Sequence, residues 1–326
     1  MSFNIINKNQ IKIVHITLLF FAYSSVHIGS LFSIEYIIDY DDSFGKTDKH
    51  YMSFYKFLFK HINTNIQLPN NSLDPKFVSA LDRQCRMLYH KNYPFNLRKR
   101  KRGFKQPRIP LLVHQIWLGS PFPEKYRKWQ QTWQNLGNGW TYKLWTEQEV
   151  KELKLFNQAI YDQETNFGAK SDILRMEILY KYGGLYIDTD FECLNPSVFL
   201  ELHYNLDFYT AFHPADCLVY LLANGLVAAT PKHPVIKGYI DELPIKYKLS
   251  KSFKEIIATT GPGFFTQMFL KYTNPNFRDI AFPPSFVYPL GHLLPPQALT
   301  FEAIKKSVIK PESFAIHWWE SSWVQQ

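Results

Sequence analysis

The sequence predicts an α/β fold for the part of the chain after Pro107, because strand-like and helix-like segments alternate there. Residues 109–119 form an apolar run closed by Gly-Ser-Pro, as expected for a buried parallel strand that leads into a loop. Residues 139–145 alternate like a second strand, and Thr146-x-x-Glu149 is a capping box that begins a helix. Strand, helix and strand in succession predict a layered α/β domain.

The next predicted element is a helix over residues 171–182, whose apolar residues follow helical spacing. Gly183 and Gly184 end it, because glycine most readily adopts the left-handed conformation that follows a helix. Asp172 and Arg175 lie three residues apart and therefore share a face of this helix. They can pair with each other, as surface residues often do, or present one acceptor and a fork of donors to a ligand.

Residues 185–190 alternate like a short strand, which predicts that the carboxylates of Asp188 and Asp190 lie on one side of the backbone. Two adjacent carboxylates attract a hard divalent cation such as Mg²⁺ or Mn²⁺, which completes its shell with water and substrate phosphates. The D-x-D pattern alone is not specific, because Asp39-Tyr-Asp41 is a second example in the same chain.

Composition excludes several classes of protein. The 326 residues are 46% hydrophobic and 17% aromatic, which excludes a disordered chain and allows one large or two modest domains. The net charge of +9 comes largely from a basic run at residues 98–105, and no DNA- or RNA-reading motif accompanies it, so we expect no nucleic-acid partner. Three cysteines without a C-x-x-C spacing indicate neither a disulfide framework nor a zinc site.

An uncharged segment at residues 13–34 has the length of about 20 residues that a membrane-spanning helix needs. Lys8 and Lys12 precede it and acidic residues follow it, which predicts that the bulk of the chain lies on the non-cytoplasmic side. We expect a membrane-associated protein with a single N-terminal anchor, Golgi-like in a eukaryote. A cleaved signal peptide, which would give a secreted protein, and a buried core helix are the alternatives.

These features divide the chain into three predicted regions. Residues 1–34 are the hydrophobic segment, residues 35–107 are a stem or helical preface that ends in the basic run, and residues 108–326 are the α/β domain.

Five sequence blocks, in this order, resemble the DXD-containing sugar-transferase family, which includes the yeast initiating α-1,6-mannosyltransferase and, more distantly, the large clostridial glucosylating toxins. The blocks are I-P-x-x-x-H-Q-I-W-x-G at 109–119, Y-K-L-W-T at 142–146, K-S-D-I-L-R at 170–175, Y-G-G-L-Y-I-D-T-D at 182–190 and H-W-W-x-x-S-W at 317–323. The resemblance implies a GT-A-type, Rossmann-like fold with a mixed central sheet and flanking helices. It also implies a nucleotide-sugar donor, a divalent cation and retention of anomeric configuration.

By position, the resemblance also implies roles for individual residues. Trp117 resembles the tryptophan that stacks on the nucleotide base, although an indole there can also be an ordinary core residue. Asp172 and Arg175 resemble contacts to ribose, sugar and phosphate, and Tyr186 would pack beside the base or ribose. Asp188 resembles the motif aspartate that touches the donor, and Asp190 resembles the direct metal ligand.

Three further segments complete the candidate site. Asn224 resembles the family asparagine that faces the donor sugar, and residues 259–263 resemble a Gly-Pro turn near the reacting centre. His317 is a candidate metal or phosphate ligand, although a histidine beside tryptophans is often a packed core residue. Ser322 and Trp323, in the same C-terminal block, are candidate nucleotide-sugar-binding residues.

The sequence therefore predicts a glycosyltransferase that moves a hexose from a UDP- or GDP-sugar to an acceptor hydroxyl, with Mn²⁺ or Mg²⁺ as cofactor and retention of configuration. A glycan, a lipid and a protein side chain are all open as acceptors. The alternatives are a non-catalytic nucleotide-sugar-binding protein, or a membrane-anchored interaction protein, on the same fold.

Overall fold

The computed structural model describes residues 11–17, 33–39, 74–93, 106–137, 139–214, 219–249, 252–291 and 300–320. The chain divides into two compact units, Met1–Ile66 and Gln67–Gln326. The predicted boundaries at residues 34 and 107 stay predictions. The basic run at 98–105 lies outside the described residues, as do Ser322 and Trp323.

In the first unit, the described residues form two antiparallel strands, β1 (Ile11–Thr17) and β2 (Ser33–Asp39). The two ends of the segment at residues 13–34 are therefore strands and not helix ends, which agrees with their many β-branched residues. Residues 18–32 lie outside the description, so membrane anchoring through this segment stays a prediction. No helix in the described part of the chain is long and apolar enough to cross a membrane.

The second unit contains the α/β domain. Its helices are α1 (Pro75–Asn92), α2 (Arg127–Gln134), α3 (Glu147–Lys151), α4 (Gln158–Gln163), α5 (Phe167–Tyr182), α6 (Pro196–Asn205), α7 (Pro234–Lys246), α8 (Phe253–Thr259), α9 (Pro262–Tyr272) and α10 (Phe301–Val308). Its strands are β3 (Leu112–Ile116), β4 (Thr141–Trp145), β5 (Gly184–Ile187), β6 (Phe191–Cys193), β7 (Phe208–Phe212), β8 (Leu222–Ala229), β9 (Asp279–Phe282) and β10 (Ala315–His317).

Six of these strands form one mixed sheet in the order β4-β3-β5-β8-β7-β9. β3 runs parallel to β4 and to β5, whereas β8 is antiparallel to both β5 and β7. β6 and β10 pair separately as a small antiparallel sheet. The predicted α/β class with a mixed central sheet and flanking helices is confirmed.

The turn between α5 and β5 has the two glycines that the sequence indicates. Gly183 and Gly184 both have positive φ, 64° and 99°, and a Cβ at Gly184 would lie 2.4 Å from the carbonyl oxygen of Leu112. Glycine is therefore required for β5 to lie close beside β3.

His114 holds this turn from the middle of β3. Its Nε2 lies 2.8 Å from the carbonyl oxygen of Gly183, and its Nδ1 accepts a hydrogen bond from Nε1 of Trp145 at 3.1 Å. Burial lowers the pKa of His114 to about 4, so the ring is neutral at pH 7 and donates through Nε2. This histidine of the first sequence block therefore has a structural role, linking β3, β4 and the glycine turn.

Helix α1 shows that the predicted preface includes an element packed on the domain. The side chain of Asp74 caps its first turn by accepting from the amide of Lys76 at 2.9 Å. One face is fully buried, formed by Val78, Leu81, Cys85 and Leu88. At the other end, Nδ2 of Asn92 donates to the carbonyl oxygen of Asp279 at 2.8 Å, which ties the helix to the edge strand β9.

Candidate active site

The candidate site lies where strand β5 ends beside the first half of its neighbour β8. β5 ends at Ile187, which pairs with Leu226 of the antiparallel strand β8. The end of β5 and the beginning of β8 are therefore neighbours, and the amide of Asp188 donates to the carbonyl oxygen of Gly225 at 2.8 Å. This pairing brings the D-x-D segment beside Asn224, as the sequence predicts for residues of one site.

The local structure of the D-x-D segment differs from the prediction. Asp188 and Asp190 do not lie on one side of a strand, because β5 ends at Ile187 and the chain turns. The amide of Phe191 donates to the carbonyl oxygen of Asp188 at 3.2 Å and closes this turn before β6 begins. All four residues of β5 are buried, so the alternating sequence pattern does not correspond to one buried and one exposed face of the strand. The two carboxylates come together through the turn.

His317 completes a group of three side chains that could hold a metal ion, Asp188, Asp190 and His317. Each offers one ligand atom, and these atoms lie within 4.8 Å of one another. β10 pairs with β6 and sets His317 directly opposite Phe191, whose ring stacks on the imidazole at 4.4 Å. Among the described residues, the buried Nδ1 of His317 has no hydrogen-bond partner.

Asp190 is 8% exposed, and both of its carboxylate oxygens accept hydrogen bonds. Nε2 of His317 lies 2.9 Å from Oδ1, and the backbone amide of Glu320 donates to Oδ2 at 2.9 Å. Burial alone would raise the pKa of Asp190, but its electrostatic interaction and hydrogen bond with His317 outweigh the effect of burial and lower that pKa below its ordinary value. Asp190 is therefore an anion at neutral pH, as a metal ligand must be.

Arg175 is the centre of a buried polar network on α5. Its Nη1 donates to the carbonyl oxygen of Asn224 at 2.6 Å, and its Nη2 lies 3.0 Å from Oδ1 of Asp172. Nη1 also lies 3.4 Å from Oδ1 of Asp188, and the guanidinium is 4.4 Å from the centre of the Tyr186 ring. The predicted pair of Asp172 and Arg175 is thus observed, but it is buried and not a surface salt bridge.

The carboxylate of Asp172 is held from three sides. Besides Arg175, Nδ2 of Asn224 donates to Oδ1 at 2.8 Å, and Oγ1 of Thr260 donates to Oδ2 at 3.2 Å. Burial raises the pKa of Asp172 to about 6, although Arg175 opposes this increase. The ionised form of Asp172 is therefore less favourable in the folded state than in the unfolded state, which lowers the free energy of unfolding at neutral pH.

We expect this effect to be visible as a difference between the unaltered chain and Asp172→Asn. The ordinary pKa of Asp172 is 3.8 and the folded value is about 6, so the contribution of Asp172 to the stability of the unaltered protein falls by about 3 kcal/mol as pH rises through this window. Asp172→Asn lacks this contribution, so its unfolding free energy should increase relative to that of the unaltered chain as pH rises over the same range. Urea denaturation at pH 4, 5, 6 and 7 measures the difference; a pH-independent difference would contradict the prediction.

Gly225 leaves the space in which the carboxylate of Asp188 lies. A Cβ at this position would lie 2.6 Å from Oδ2 of Asp188 and 3.4 Å from the hydroxyl of Tyr288. On its other oxygen, Oδ1, Asp188 accepts a hydrogen bond from the hydroxyl of Tyr186 at 2.7 Å. The absence of a side chain at Gly225 therefore helps to set the orientation of Asp188.

We expect Gly225→Ala to lower kcat/KM by about 10²-fold, because a displaced reacting group costs roughly this much. The φ angle of Gly225 is not in the positive region, so alanine introduces no backbone strain and acts through Asp188. Steady-state kinetics and thermal unfolding would be measured together. A large loss of stability with unchanged kinetics of the folded fraction would contradict the assignment.

Trp117 follows β3 and is 9% exposed. Its Nε1 donates to Oγ of Ser120 at 3.1 Å, and its ring centre lies 5.1 Å from that of Tyr126. It belongs to a buried cluster with Tyr126, Trp129, Leu290, Ile316 and Trp318. The packing role considered in the sequence analysis is observed, and stacking on a nucleotide base stays a prediction.

Sequence reasoning missed two contacts of the site, those of Gly225 and Thr260. Thr260 is part of the predicted turn at 259–263, and Gly261 is the N-cap residue of α9. The threonine-glycine-proline-glycine signal identifies the turn, but nothing in it indicates that Thr260 donates to Asp172, a residue far away in the sequence.

Comparison with known proteins confirms the predicted resemblance to the DXD-containing family for a segment that contains three of the five sequence blocks, those at 142–146, 170–175 and 182–190. Residues 123–207 match the family described as the glycosyltransferase sugar-binding region containing a DXD motif. This range contains Asp172, Arg175, Tyr186, Asp188 and Asp190.

Two fungal proteins are among the curated relatives. Inositol phosphoceramide mannosyltransferase 1 of Schizosaccharomyces pombe is 28% identical over 56% of this chain and 58% of its own length. Mannosyl phosphorylinositol ceramide synthase CSH1 of Saccharomyces cerevisiae is 27% identical over 50% of this chain and 43% of its own length. The chain thus spans about half the length of the curated relatives it matches.

Among solved structures, the catalytic domain of alpha-toxin from Clostridium novyi is similar with a TM-score of 0.42 and 9% identity. The similarity covers 84% of this chain and 89% of the toxin domain.

Proposed function

We propose that the protein is a glycosyltransferase that moves a hexose from a nucleotide-diphosphate sugar to an acceptor hydroxyl, with a divalent cation and with retention of configuration. The observation that carries the proposal is the group Asp188, Asp190 and His317, placed next to the buried guanidinium of Arg175. Both aspartates and Arg175 lie within the residues that match the family. A cation together with a fixed positively charged donor group can bind a diphosphate and stabilise the charge that develops as the nucleoside diphosphate departs.

The residues fit a divalent cation. Two carboxylates and an imidazole offer ligand atoms within 4.8 Å of one another, and the buried Nδ1 of His317 has no hydrogen-bond partner in the described part of the chain. Carboxylates suit both Mg²⁺ and Mn²⁺, whereas an imidazole nitrogen favours Mn²⁺. When bound, the ion would neutralise negative charge that develops on the departing diphosphate.

Arg175 and its partners hold the donor in this proposal. The guanidinium is fixed by Asn224 and Asp172, so it presents a charge whose position does not change during the reaction. Asn224 faces the hexose, Tyr186 packs beside the ribose, and Trp117 stacks on the base. Ser322 and Trp323 are proposed as further contacts to the nucleotide sugar.

The acceptor hydroxyl attacks the anomeric carbon on the face from which the diphosphate departs, which retains the configuration. The departing phosphate can take the hydroxyl proton, so no side chain needs to form a covalent bond to the sugar. A glycosidase would instead need two carboxylates on either side of the bond that is cleaved.

Mannose is the first hexose to test, because both fungal relatives described above are named for mannosyl transfer. Their names also mention inositol phosphoceramide and phosphorylinositol ceramide, so a lipid that presents inositol hydroxyls is the first acceptor to test, ahead of glycans and proteins. We further propose that residues 13–34 associate the protein with a membrane, where such an acceptor is located.

Nucleoside-diphosphate release by the full chain tests the proposal. UDP-glucose, UDP-galactose, UDP-N-acetylhexosamines and GDP-mannose would each be supplied with Mn²⁺, with Mg²⁺ or with a chelator, with and without the inositol lipid. Release from one donor that needs the ion supports a transferase. If no donor gives release and none raises the unfolding temperature, the transferase proposal is rejected.

A further inference from the structure

Trp319 has an unusual backbone conformation beside the candidate metal ligands. Its φ is +57°, and within the described part of the chain Lys232 is the other non-glycine residue with positive φ. This conformation is unfavourable for a bulky residue, whereas glycine adopts it freely. Strain of this kind persists where the surrounding structure enforces it, and it is frequent at functional sites.

The backbone of this turn is needed to hold Asp190. The amide of Trp318 donates to the carbonyl oxygen of Asp190 at 3.0 Å, and the amide of Glu320 donates to its Oδ2 at 2.9 Å. Both amides reach Asp190 because the chain turns sharply at the residue between them. This requirement explains the left-handed turn, but glycine would satisfy it better than tryptophan does.

We therefore expect the indole of Trp319 to have a role besides the backbone turn, and its neighbours indicate that role. Its Nε1 donates to the carbonyl oxygen of Leu290 at 3.0 Å, which fixes the ring. The ring centre lies 4.2 Å from that of His317, 5.7 Å from that of Tyr288 and 6.4 Å from that of His213. Trp319 and His213 are half-buried, so these rings are not fully enclosed in the core.

We propose that Trp319 contacts the hexose of the nucleotide sugar, with the apolar C–H face of the sugar ring packed against the indole. A hexose has hydroxyls at its edge and C–H groups on its faces, so a rigid aromatic ring beside polar groups matches its surface. His317, a proposed metal ligand, is next to the indole, which places the indole near the point where the diphosphate of the bound donor is joined to the hexose. This inference rests on the proposed function and assigns its sugar subsite.

Two matched variants separate contact with sugar from packing. Trp319→Phe and Trp319→Leu both lose the N–H that binds Leu290 and both reduce the volume of the side chain, but phenylalanine keeps an aromatic face. Titration calorimetry with Mn²⁺ would measure binding of GDP-mannose, UDP-glucose, GDP and UDP to the full chain and to both variants. Trp319→Met repeats the comparison with a second apolar, non-aromatic side chain, and thermal unfolding shows which variants are folded.

We expect Trp319→Leu to weaken binding of the nucleotide sugar by about tenfold while binding of the matching nucleoside diphosphate is unchanged. Trp319→Phe should bind the nucleotide sugar within about twofold of the unaltered chain. Equal losses of affinity for the nucleotide sugar in both variants, or equal losses of affinity for the nucleotide sugar and the nucleoside diphosphate, would show that the indole only packs. Either result would overturn the inference while the proposed function stands. If the unaltered chain binds none of the four compounds, the proposed function and the inference both fail.

Discussion

Replacing Asp190 by alanine is expected to lower nucleoside-diphosphate release by about 10³-fold, because loss of this proposed metal ligand would remove several kcal/mol of transition-state stabilisation. Asp190 is the motif aspartate whose pKa is lowered below its ordinary value by His317, so it stays charged under assay conditions. It is also the residue on which the C-terminal segment is anchored, through the amides of Trp318 and Glu320. Alanine keeps the backbone carbonyl that accepts from Trp318 and removes the carboxylate that contacts His317 and Glu320, so the variant should lose the bound cation and those two contacts.

The chain offers a matched control for this experiment. Asp39-Tyr-Asp41 is a second D-x-D triplet, so Asp41→Ala removes the corresponding aspartate of an identical sequence pattern. Release should be unchanged in Asp41→Ala and lost in Asp190→Ala, and Mn²⁺ titration should show weakened binding only in the latter. Retained release in Asp190→Ala, or equal losses in both variants, would contradict the assignment of the metal site.

The sequence was most informative where local chemistry decides the structure. The helix that ends at Gly183, the capping box at Thr146 and the buried strand that precedes Trp117 all follow from short-range signals, and all are observed. Gly183 and Gly184 were predictable as the end of the helix, because the left-handed conformation that follows a helix favours residues without a Cβ. The close approach of Gly184 to β3 is a finding of the structure. These elements determine the sheet edge at which the site forms.

The sequence was least informative where long-range contacts decide the structure. The alternation in residues 185–190 predicted that the carboxylates of Asp188 and Asp190 lie close together on one face of a strand. They do lie close together, but in a turn and not on a strand face. The clearance that Gly225 leaves for Asp188 depends on how β8 pairs with β5, which no local pattern encodes. The same is true of the left-handed turn at Trp319, whose cause is two hydrogen bonds to Asp190.

Replacing Arg175 by leucine is expected to cost about 3 to 5 kcal/mol of stability, because it leaves the buried carboxylate of Asp172 without its cation. Asp172 is 6% exposed and Arg175 is 5% exposed, so water cannot replace the lost partner. Since the pKa of Asp172 is already raised by burial to about 6, removal of the opposing guanidinium should raise it further. The loss of stability should therefore grow as pH rises from 5 to 8.

The combination of Arg175→Leu with Asp172→Asn tests this explanation, because the asparagine removes the charge that is left unpaired. We expect Asp172→Asn to stabilise the Arg175→Leu variant at pH 7 by more than it stabilises the unaltered chain, which is the sign of coupling between neighbours in one network. The exposed pair of Arg127 and Glu124 is the matched control, since it has the same spacing of three residues and side chains that are 49% and 85% exposed. Arg127→Leu should cost less than about 1 kcal/mol, because water and salt screen an exposed ion pair. Urea denaturation of the unaltered chain, the three single variants and the double variant measures these differences. Similar losses for Arg127→Leu and Arg175→Leu, or an equal effect of Asp172→Asn with and without Arg175, would mean that the buried charge of Asp172 does not control the stability of the site.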